Sequence, residues 1–151
     1  MIEIALYQPD IAANAGAIAR FCACFGVPLS IIEPAGFAWT DSSFRRSGMD
    51  YLQLLDINRA ASWTSFLASR PGRRLVLLTT KAETSYLDFK FSSGDILVAG
   101  RETAGVPASV HEAVSQRIAI VMKPPARSLN VAMATAIVAA EAHRQLTYFD
   151  R

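Results

Sequence analysis

The sequence predicts an α/β protein in which a mainly parallel sheet is flanked by helices. Short apolar segments alternate with segments of helical pattern along the 151 residues, as in repeated β-α-β units. The strand segments are apolar throughout, which is typical of strands that are covered on both faces. The sequence has no internal repeat, linker or low-complexity tract, so we expect a single domain over residues 1–151.

Each element is predicted from its apolar pattern and from the residues that can begin or end it. In the first half we expect a strand at 2–7, a helix at 12–25 that Gly26 ends, and a strand at 29–32. A loop with a short helix follows at 35–50, and then a helix at 59–69 that Asn58 caps. In the second half we expect strands at 75–79 and 96–99 and a helix at 107–114 that Pro107 opens. A strand at 118–121 and a helix at 129–146 that Ser128 caps complete the domain.

The composition allows a sizeable apolar core and excludes several classes of site. The chain is 52% hydrophobic, yet no apolar run reaches the ~18 residues of a membrane span, and no secretory signal opens it. We therefore expect a cytoplasmic protein without membrane contact. Cys22 and Cys24 lie on different faces of a predicted helix, so we interpret them as two core thiols. His111 and His143 lack partners at ligand spacing, so no metal site is expected.

The positive charge is carried mostly by arginine, with 12 arginines against 3 lysines, although the net charge is only +2. Arginine makes two-pronged contacts with phosphate and stacks on bases. A GC-rich genome that favours arginine codons gives the same excess, and composition does not separate the two. The pairs at 45–46 and 73–74 are candidate phosphate contacts or, equally, solvated surface.

Ligands of parallel α/β folds bind beyond the carboxyl ends of the strands. After the first strand, Asn14, Gly16 and Arg20 form an N-x-G-x-x-x-R pattern at the start of a helix. Gly16 and Arg20 share a face, where a phosphate or a ribose would fit. An ordinary helix start with a surface arginine gives the same local pattern.

Two further segments carry polar residues at strand ends. In the segment Gly100–Pro107, two glycines surround Glu102, which suggests a tight loop around a ligand. Ser128 can simply cap the last helix, and neither it nor Asn130 has a nearby base that would make a serine nucleophile. A nucleotide-binding oxidoreductase is an alternative for this fold, but neither its glycine fingerprint nor a Walker A sequence is present.

Together the three segments resemble the motifs of SPOUT RNA methyltransferases of the SpoU type. Their order and separation match, and the resemblance covers nearly the whole chain. Residues 4–9, 32–39 and 45–51 further resemble the small tRNA (cytidine(34)-2′-O)-methyltransferases. Two positions depart from the family pattern: Ala132 stands where relatives often have serine, and Arg101 stands where relatives usually have a small or neutral residue.

The resemblance implies methyl transfer from S-adenosylmethionine to the ribose 2′-hydroxyl of the wobble nucleotide, C34 or U34, of tRNA. Leucine isoacceptors are the expected substrates. It also implies a C-terminal trefoil knot that holds the cofactor, and a homodimer with active sites near the subunit interface. The alternatives are methylation of another tRNA or rRNA position, and a non-catalytic RNA-binding relative that kept the fold.

The resemblance also assigns roles to residues. Those expected to act in catalysis are Arg20, Glu102 and Asn130. Those expected to bind the cofactor are Leu78, Thr79, Gly100, Glu102, Ile120, Met122, Ser128 and Asn130. Those expected to contact RNA are Asn14, Arg20, Arg45, Arg46 and Arg127.

Overall fold

The structure, a computed structural model, describes residues 1–147. Its strands are β1 Glu3–Tyr7, β2 Leu29–Ile32, β3 Ile57–Ala60, β4 Leu75–Leu78, β5 Ile96–Ala99 and β6 Gln116–Ile118. Its α-helices are α1 Ala12–Phe25, α2 Ser42–Gly48, α3 Trp63–Ala68, α4 Ala108–Ala113 and α5 Val131–Thr147, and a 3₁₀ helix spans Met49–Leu54.

The six strands form one sheet in the order β3-β2-β1-β5-β4-β6, and every neighbouring pair is parallel. Successive residues of a strand point to opposite faces. Ile4 and Leu6 accordingly belong to a core that includes residues of α1 and α5, whereas Ala5 and Tyr7 belong to a second core with residues of α3 and α4. The sheet is therefore covered on both faces, which confirms the predicted fold class.

Helix α1 packs on the sheet through small residues and ends where its glycine allows. Ala12, Ala15 and Cys22 lie on its buried side, and Gly26 ends it at a φ of 65°. Burial raises the pKa of the Cys22 thiol to about 12. Cys24 is exposed, so the interpretation of both cysteines as core thiols is wrong for Cys24.

The chain differs from the prediction over residues 57–69. We expected a helix from Arg59 capped by Asn58, but residues 57–60 form the edge strand β3, which pairs with β2. Helix α3 begins only at Trp63, because Ser62 and Ser65 cap it reciprocally, each hydroxyl accepting from the other residue's N–H at 3.1 and 3.0 Å. A helix is therefore present within the predicted range, but it begins four residues later than predicted.

Two later boundaries also differ from the prediction. Strand β6 covers Gln116–Ile118, not 118–121, and Ala119 makes an isolated bridge to Ser85. Helix α5 begins at Val131, because Asn130 Oδ1 accepts hydrogen bonds from the N–H groups of residues 132 and 133 at 2.9 and 3.2 Å. The cap is therefore Asn130, and the assignment of Ser128 as the cap is wrong. Within residues 1–147, no helix is long and apolar enough to cross a membrane.

Candidate active site

A cavity of about 630 Å³ lies beyond the carboxyl ends of β4 and β5 and against the segments that follow β6 and precede α5. This is the edge at which parallel α/β folds bind ligands, and the volume is typical of small-molecule sites. The cavity wall contains all eight residues that were expected to bind the cofactor: Leu78, Thr79, Gly100, Glu102, Ile120, Met122, Ser128 and Asn130.

The segment after β5 folds back on itself and brings Glu102 to the cavity. The backbone groups of Arg101 and Gly105 exchange two hydrogen bonds of 3.0 and 2.9 Å, which close the turn. Gly105 has a φ of 60°, in the left-handed region that glycine tolerates. A Cβ on Gly100 would lie 2.8 Å from the carbonyl carbon of Gly105, so position 100 has no room for a side chain.

Glu102 is paired with a second carboxylate, Asp10, which follows β1. The backbone N–H of Asp10 donates to Glu102 Oε2 at 3.0 Å, and the N–H of Glu102 donates to Asp10 Oδ1 at 3.2 Å. The Thr103 hydroxyl also donates to Asp10. Burial raises the pKa of Glu102, and the neighbouring Asp10 raises it further. Hydrogen bonding to Glu102 lowers the pKa of Asp10, so the pair holds its proton more readily on Glu102.

A chain of side-chain amides joins the three sequence motifs. Asn130 Nδ2 donates to Asn14 Oδ1 at 2.8 Å, and Asn14 Nδ2 lies 3.4 Å from Glu102 Oε1. Because Asn130 Oδ1 caps α5, its Nδ2 is directed to Asn14. Asn14 was expected to contact RNA; it also lines the cavity.

Arg20 lies outside the lining of this cavity. Its Nη1 is 3.1 Å from Met49 Sδ, and its guanidinium lies 5.1 Å from the centre of the Tyr51 ring. The nearby Gly16 serves packing: a Cβ there would lie 2.5 Å from the carbonyl oxygen of Phe44, so glycine lets α1 approach α2. Within residues 1–147, the fold does not bring Arg20 to the other two residues expected in catalysis.

The remaining arginines that were expected to contact RNA are exposed. Arg45 and Arg46 lie in the last turn of α2, shortly before Met49, which contacts Arg20. Arg127 lies on the loop between β6 and α5, one residue before the cavity-lining Ser128. These cations therefore occupy two regions of the surface, one on the α1–α2 side and one at the cavity.

The cavity suits S-adenosylmethionine, a ligand with a flat purine and a charged amino-acid end. Leu77, Ala99 and Val106 supply an apolar wall, whereas Asn14 and Glu102 supply polar groups. His111 also lines the cavity, and its Nε2 is buried without a hydrogen-bond partner in the described part of the chain. A buried nitrogen of this kind is satisfied when a ligand supplies the missing partner. No group of three potential metal ligands occurs within residues 1–147.

The family relationship follows from comparison of the whole chain. A family model described as the SpoU rRNA methylase family matches residues 1–140. The chain belongs to this family. A family member from Beijerinckia indica, named tRNA (cytidine(34)-2′-O)-methyltransferase, is 54% identical over 95% of this chain and 91% of its own length.

Solved structures of family members share the fold. One, described as giving structural insights into the 2-OH methylation of C/U34 on tRNA, has a TM-score of 0.94 and 38% identity, covering 98% of this chain and 97% of its own. The SpoU methyltransferase AviRb from Streptomyces viridochromogenes, in complex with the cofactor AdoMet, has a TM-score of 0.86 and 25% identity. That match covers 98% of this chain and 61% of AviRb.

The sequence did not point to Asp10, Thr103 or His111 as parts of the site. Asp10 carried a usable signal, because it follows an apolar strand directly, but its partner depends on β1 lying beside β5, which periodicity does not reveal. His111 carried no signal, because an isolated histidine on a short helix is more often structural.

Proposed function

We propose that this chain methylates the ribose 2′-hydroxyl of the wobble nucleotide, C34 or U34, of tRNA with S-adenosylmethionine as methyl donor. The observation that carries the proposal is the Asn130–Asn14–Glu102 chain of side chains, which joins the three motifs at one cavity. The Beijerinckia relative is named for this reaction at cytidine 34, and its match covers nearly the whole length of both chains.

The cofactor supplies a methyl group already activated on a sulfonium. The chain's own task is to hold it and to align the hydroxyl, and alignment can contribute about 7–11 kcal/mol to such a step. Leu78, Thr79, Ile120 and Met122 would hold the purine, with room provided by Gly100. Glu102, Ser128 and Asn130 would close the cavity around the polar end.

Arg20 acts on the substrate in this proposal. Its guanidinium stays protonated, so it is not a simple base. It grips the phosphate beside the reacting ribose or stabilises the forming alkoxide, either of which uses its fork of donors. Arg45, Arg46 and Arg127, all exposed, bind further phosphates, and Asn14 contacts both the cavity and the RNA.

The proposal includes a homodimer. Helix α5 exposes Met133 and Ile137, 59% and 38% exposed and four residues apart, and α1 exposes Phe25. Exposed apolar side chains on neighbouring helices favour a protein partner. Because Arg20 lies outside the cavity of its own chain, a second copy of the chain would supply it to the site.

Further parts of the proposal concern topology, substrate and location. The C-terminal segment forms a trefoil knot, which is consistent with three loops from its strands and α5 meeting at one cavity. The favoured substrates are leucine isoacceptors, and the enzyme works in the cytoplasm, where tRNA is modified. The proposed substrates and the proposed location are supported by the similarity of this chain to relatives that are named as tRNA-modifying enzymes.

The test is nucleoside analysis by mass spectrometry of unmodified tRNA incubated with the purified protein and S-adenosylmethionine. We expect new 2′-O-methylcytidine or 2′-O-methyluridine that maps to position 34. A methylated ribose at another tRNA or rRNA position would support the proposed reaction but contradict the proposed substrate position. Cofactor binding without any methylation would instead identify a non-catalytic RNA-binding relative.

A further inference from the structure

Arg101 lies half-buried just beyond the carboxyl end of β5, directly before Glu102. Within residues 1–147, its side chain makes only long contacts with neutral groups. The Nε atom lies 3.3 Å from the carbonyl oxygen of Gly105, and Nη1 lies 3.5 Å from Gln8 Oε1. The guanidinium stands 5.7 Å from the centre of the Tyr7 ring.

The other half-buried arginines within residues 1–147 are better compensated. Arg70 and Arg74 form ion pairs with Glu3 and Asp95 at 2.9 and 2.6 Å. Arg117 donates to a backbone carbonyl of α4 at 2.9 Å. Arg101 has neither a carboxylate partner nor a hydrogen bond as short as these in the described part of the chain. A cation withdrawn from water is costly unless it is paired, so its position favours an anionic ligand.

The direction of the side chain places that anion at the rim of the cavity. Tyr7 and Gln8 belong to the end of β1 and its following turn, and neither lines the cavity. Gln8 has a φ of 43°, a conformation that is costly for a non-glycine residue and is often found at functional sites. Arg101 is itself part of the cavity lining, and the contacts of its guanidinium with Gln8 and Tyr7 place the charge on the β1 side of the cavity.

We propose that Arg101 binds the 3′-phosphodiester of the methylated ribose, so that Arg20 acts on the forming alkoxide or on the 5′-phosphate. The inference rests on the proposed function, because it requires a ribose 2′-hydroxyl at Glu102 and Asn130. In RNA the 3′-phosphodiester is attached to the carbon next to the one that carries the 2′-hydroxyl. A guanidinium one residue before Glu102 is therefore in reach of that phosphate and offers it two parallel donors.

The turn that carries Arg101 suits this role. Two backbone hydrogen bonds between Arg101 and Gly105 fix the backbone at position 101, so only the side chain must adjust to the phosphate. A fixed anchor lowers the entropy lost on binding. The same turn positions Glu102, so contact with the phosphate and placement of the hydroxyl are set by one rigid segment.

The experiment compares wild type with Arg101→Gln, Arg101→Lys and a charge-removal control, Lys90→Gln. Lys90 is exposed on the segment that precedes β5. It therefore lies toward the amino ends of the strands, whereas the cavity lies at their carboxyl ends. Binding of an anticodon stem-loop RNA is measured by fluorescence anisotropy at several salt concentrations. A second stem-loop carries one uncharged methylphosphonate in place of the phosphate 3′ of the wobble nucleotide. Calorimetry gives the affinity of each protein for S-adenosylmethionine.

We expect Arg101→Gln to weaken binding of the normal RNA about tenfold and to lower the salt slope by about 1. The methylphosphonate should lower the RNA affinity of wild type by a similar factor and leave the RNA affinity of Arg101→Gln almost unchanged. Arg101→Lys should recover part of the affinity, and Lys90→Gln should behave as wild type. Wild-type binding and methylation test the proposed function independently of these comparisons.

Three outcomes would overturn the inference. An unchanged RNA affinity and salt slope in Arg101→Gln would show that the residue contacts no phosphate. Equal effects of the methylphosphonate on wild type and Arg101→Gln would place the contact on another residue. A weaker affinity for S-adenosylmethionine, with RNA binding unaltered, would show that the anion is the carboxylate of the cofactor.

Discussion

Asn130 Nδ2 and Asn14 Oδ1 form a hydrogen bond of 2.8 Å across 116 positions of the sequence. The bond links the residue that caps α5 to α1, and Asn14 in turn approaches Glu102 on the loop after β5. Three segments that are separate in sequence therefore share one polar connection at the cavity.

Arg20→Lys should lower methylation by about 10²-fold while leaving the affinity for S-adenosylmethionine unchanged. Lysine keeps the charge but loses the planar fork, and position 20 lies outside the cavity lining. Single-turnover methylation and calorimetry would measure the two quantities. Arg73→Lys is the matched control, because Arg73 pairs with Glu3 at 3.4 Å at the amino ends of the strands, away from the cavity. Near-normal turnover of Arg20→Lys would remove Arg20 from the reaction.

Gly100→Val should abolish binding of S-adenosylmethionine as measured by calorimetry. The new Cβ would lie 2.8 Å from the carbonyl carbon of Gly105 and would displace the turn that carries Glu102. Gly72→Ala is the control, because position 72 has a φ of 72° and open space around it. That control should lose about 1 kcal/mol of stability and bind the cofactor normally. Unchanged affinity in a folded Gly100→Val would contradict the assignment.

Glu102→Gln should become more stable relative to wild type as the pH rises from 4.5 to neutrality. The pKa of Glu102 is raised in the folded state, so its favourable contribution is complete below the unfolded pKa and is lost as the pH rises through the folded one. Glutamine stays uncharged throughout. Urea denaturation at several pH values would give the difference in free energy of unfolding.

Glu141→Gln is the control for this measurement, and its difference from wild type should stay flat above pH 4.5. Arg144 lowers the pKa of Glu141 to about 2, so its contribution is present at neutral pH and disappears as the pH falls toward that value. The pair is on the surface and its effect should be small. A flat difference for Glu102→Gln across the same range would mean that the burial of Glu102 does not disfavour its charge.

Met133→Lys should convert a dimer into a monomer, which sedimentation equilibrium would measure. The substitution places a strongly hydrated charge on the exposed apolar face of α5. Leu87→Lys changes a residue of similar exposure, 63% against 59%, that is outside α5, and should leave the dimer intact. A wild-type protein that sediments as a monomer would refute the proposed homodimer.

The sequence was informative where a local pattern decides the structure. The apolar segment before Gly100 predicted β5, and Gly26 predicted the end of α1, because strand burial and left-handed backbone each depend on residues close in sequence. Residues 57–60 were mistaken for helix, because an edge strand is selected by the open edge of β2 and not by its own periodicity.

The sequence predicted part of the cavity lining, but it predicted neither Asp10, Thr103 and His111 nor the contacts between the residues of the site. The eight expected cofactor residues line one cavity, since each ends a strand, follows one or precedes α5. The pairing of Asp10 with Glu102 depends on the neighbourhood of β1 and β5, which only the tertiary fold establishes. The contact of Arg20 with Met49 likewise depends on how α1 packs on the 3₁₀ helix.

The central position of β1 has a consequence for synthesis of the chain. Glu3 of β1 is in register with Ile96 of β5, so one edge of the first strand has no partner until more than 90 further residues have been translated. At about 5–20 residues per second, that interval lasts about 5–20 s. During it, an apolar strand with free backbone N–H and C=O groups is open to association with other nascent chains. The strand at the centre of the sheet therefore keeps one open edge until β5 has been made.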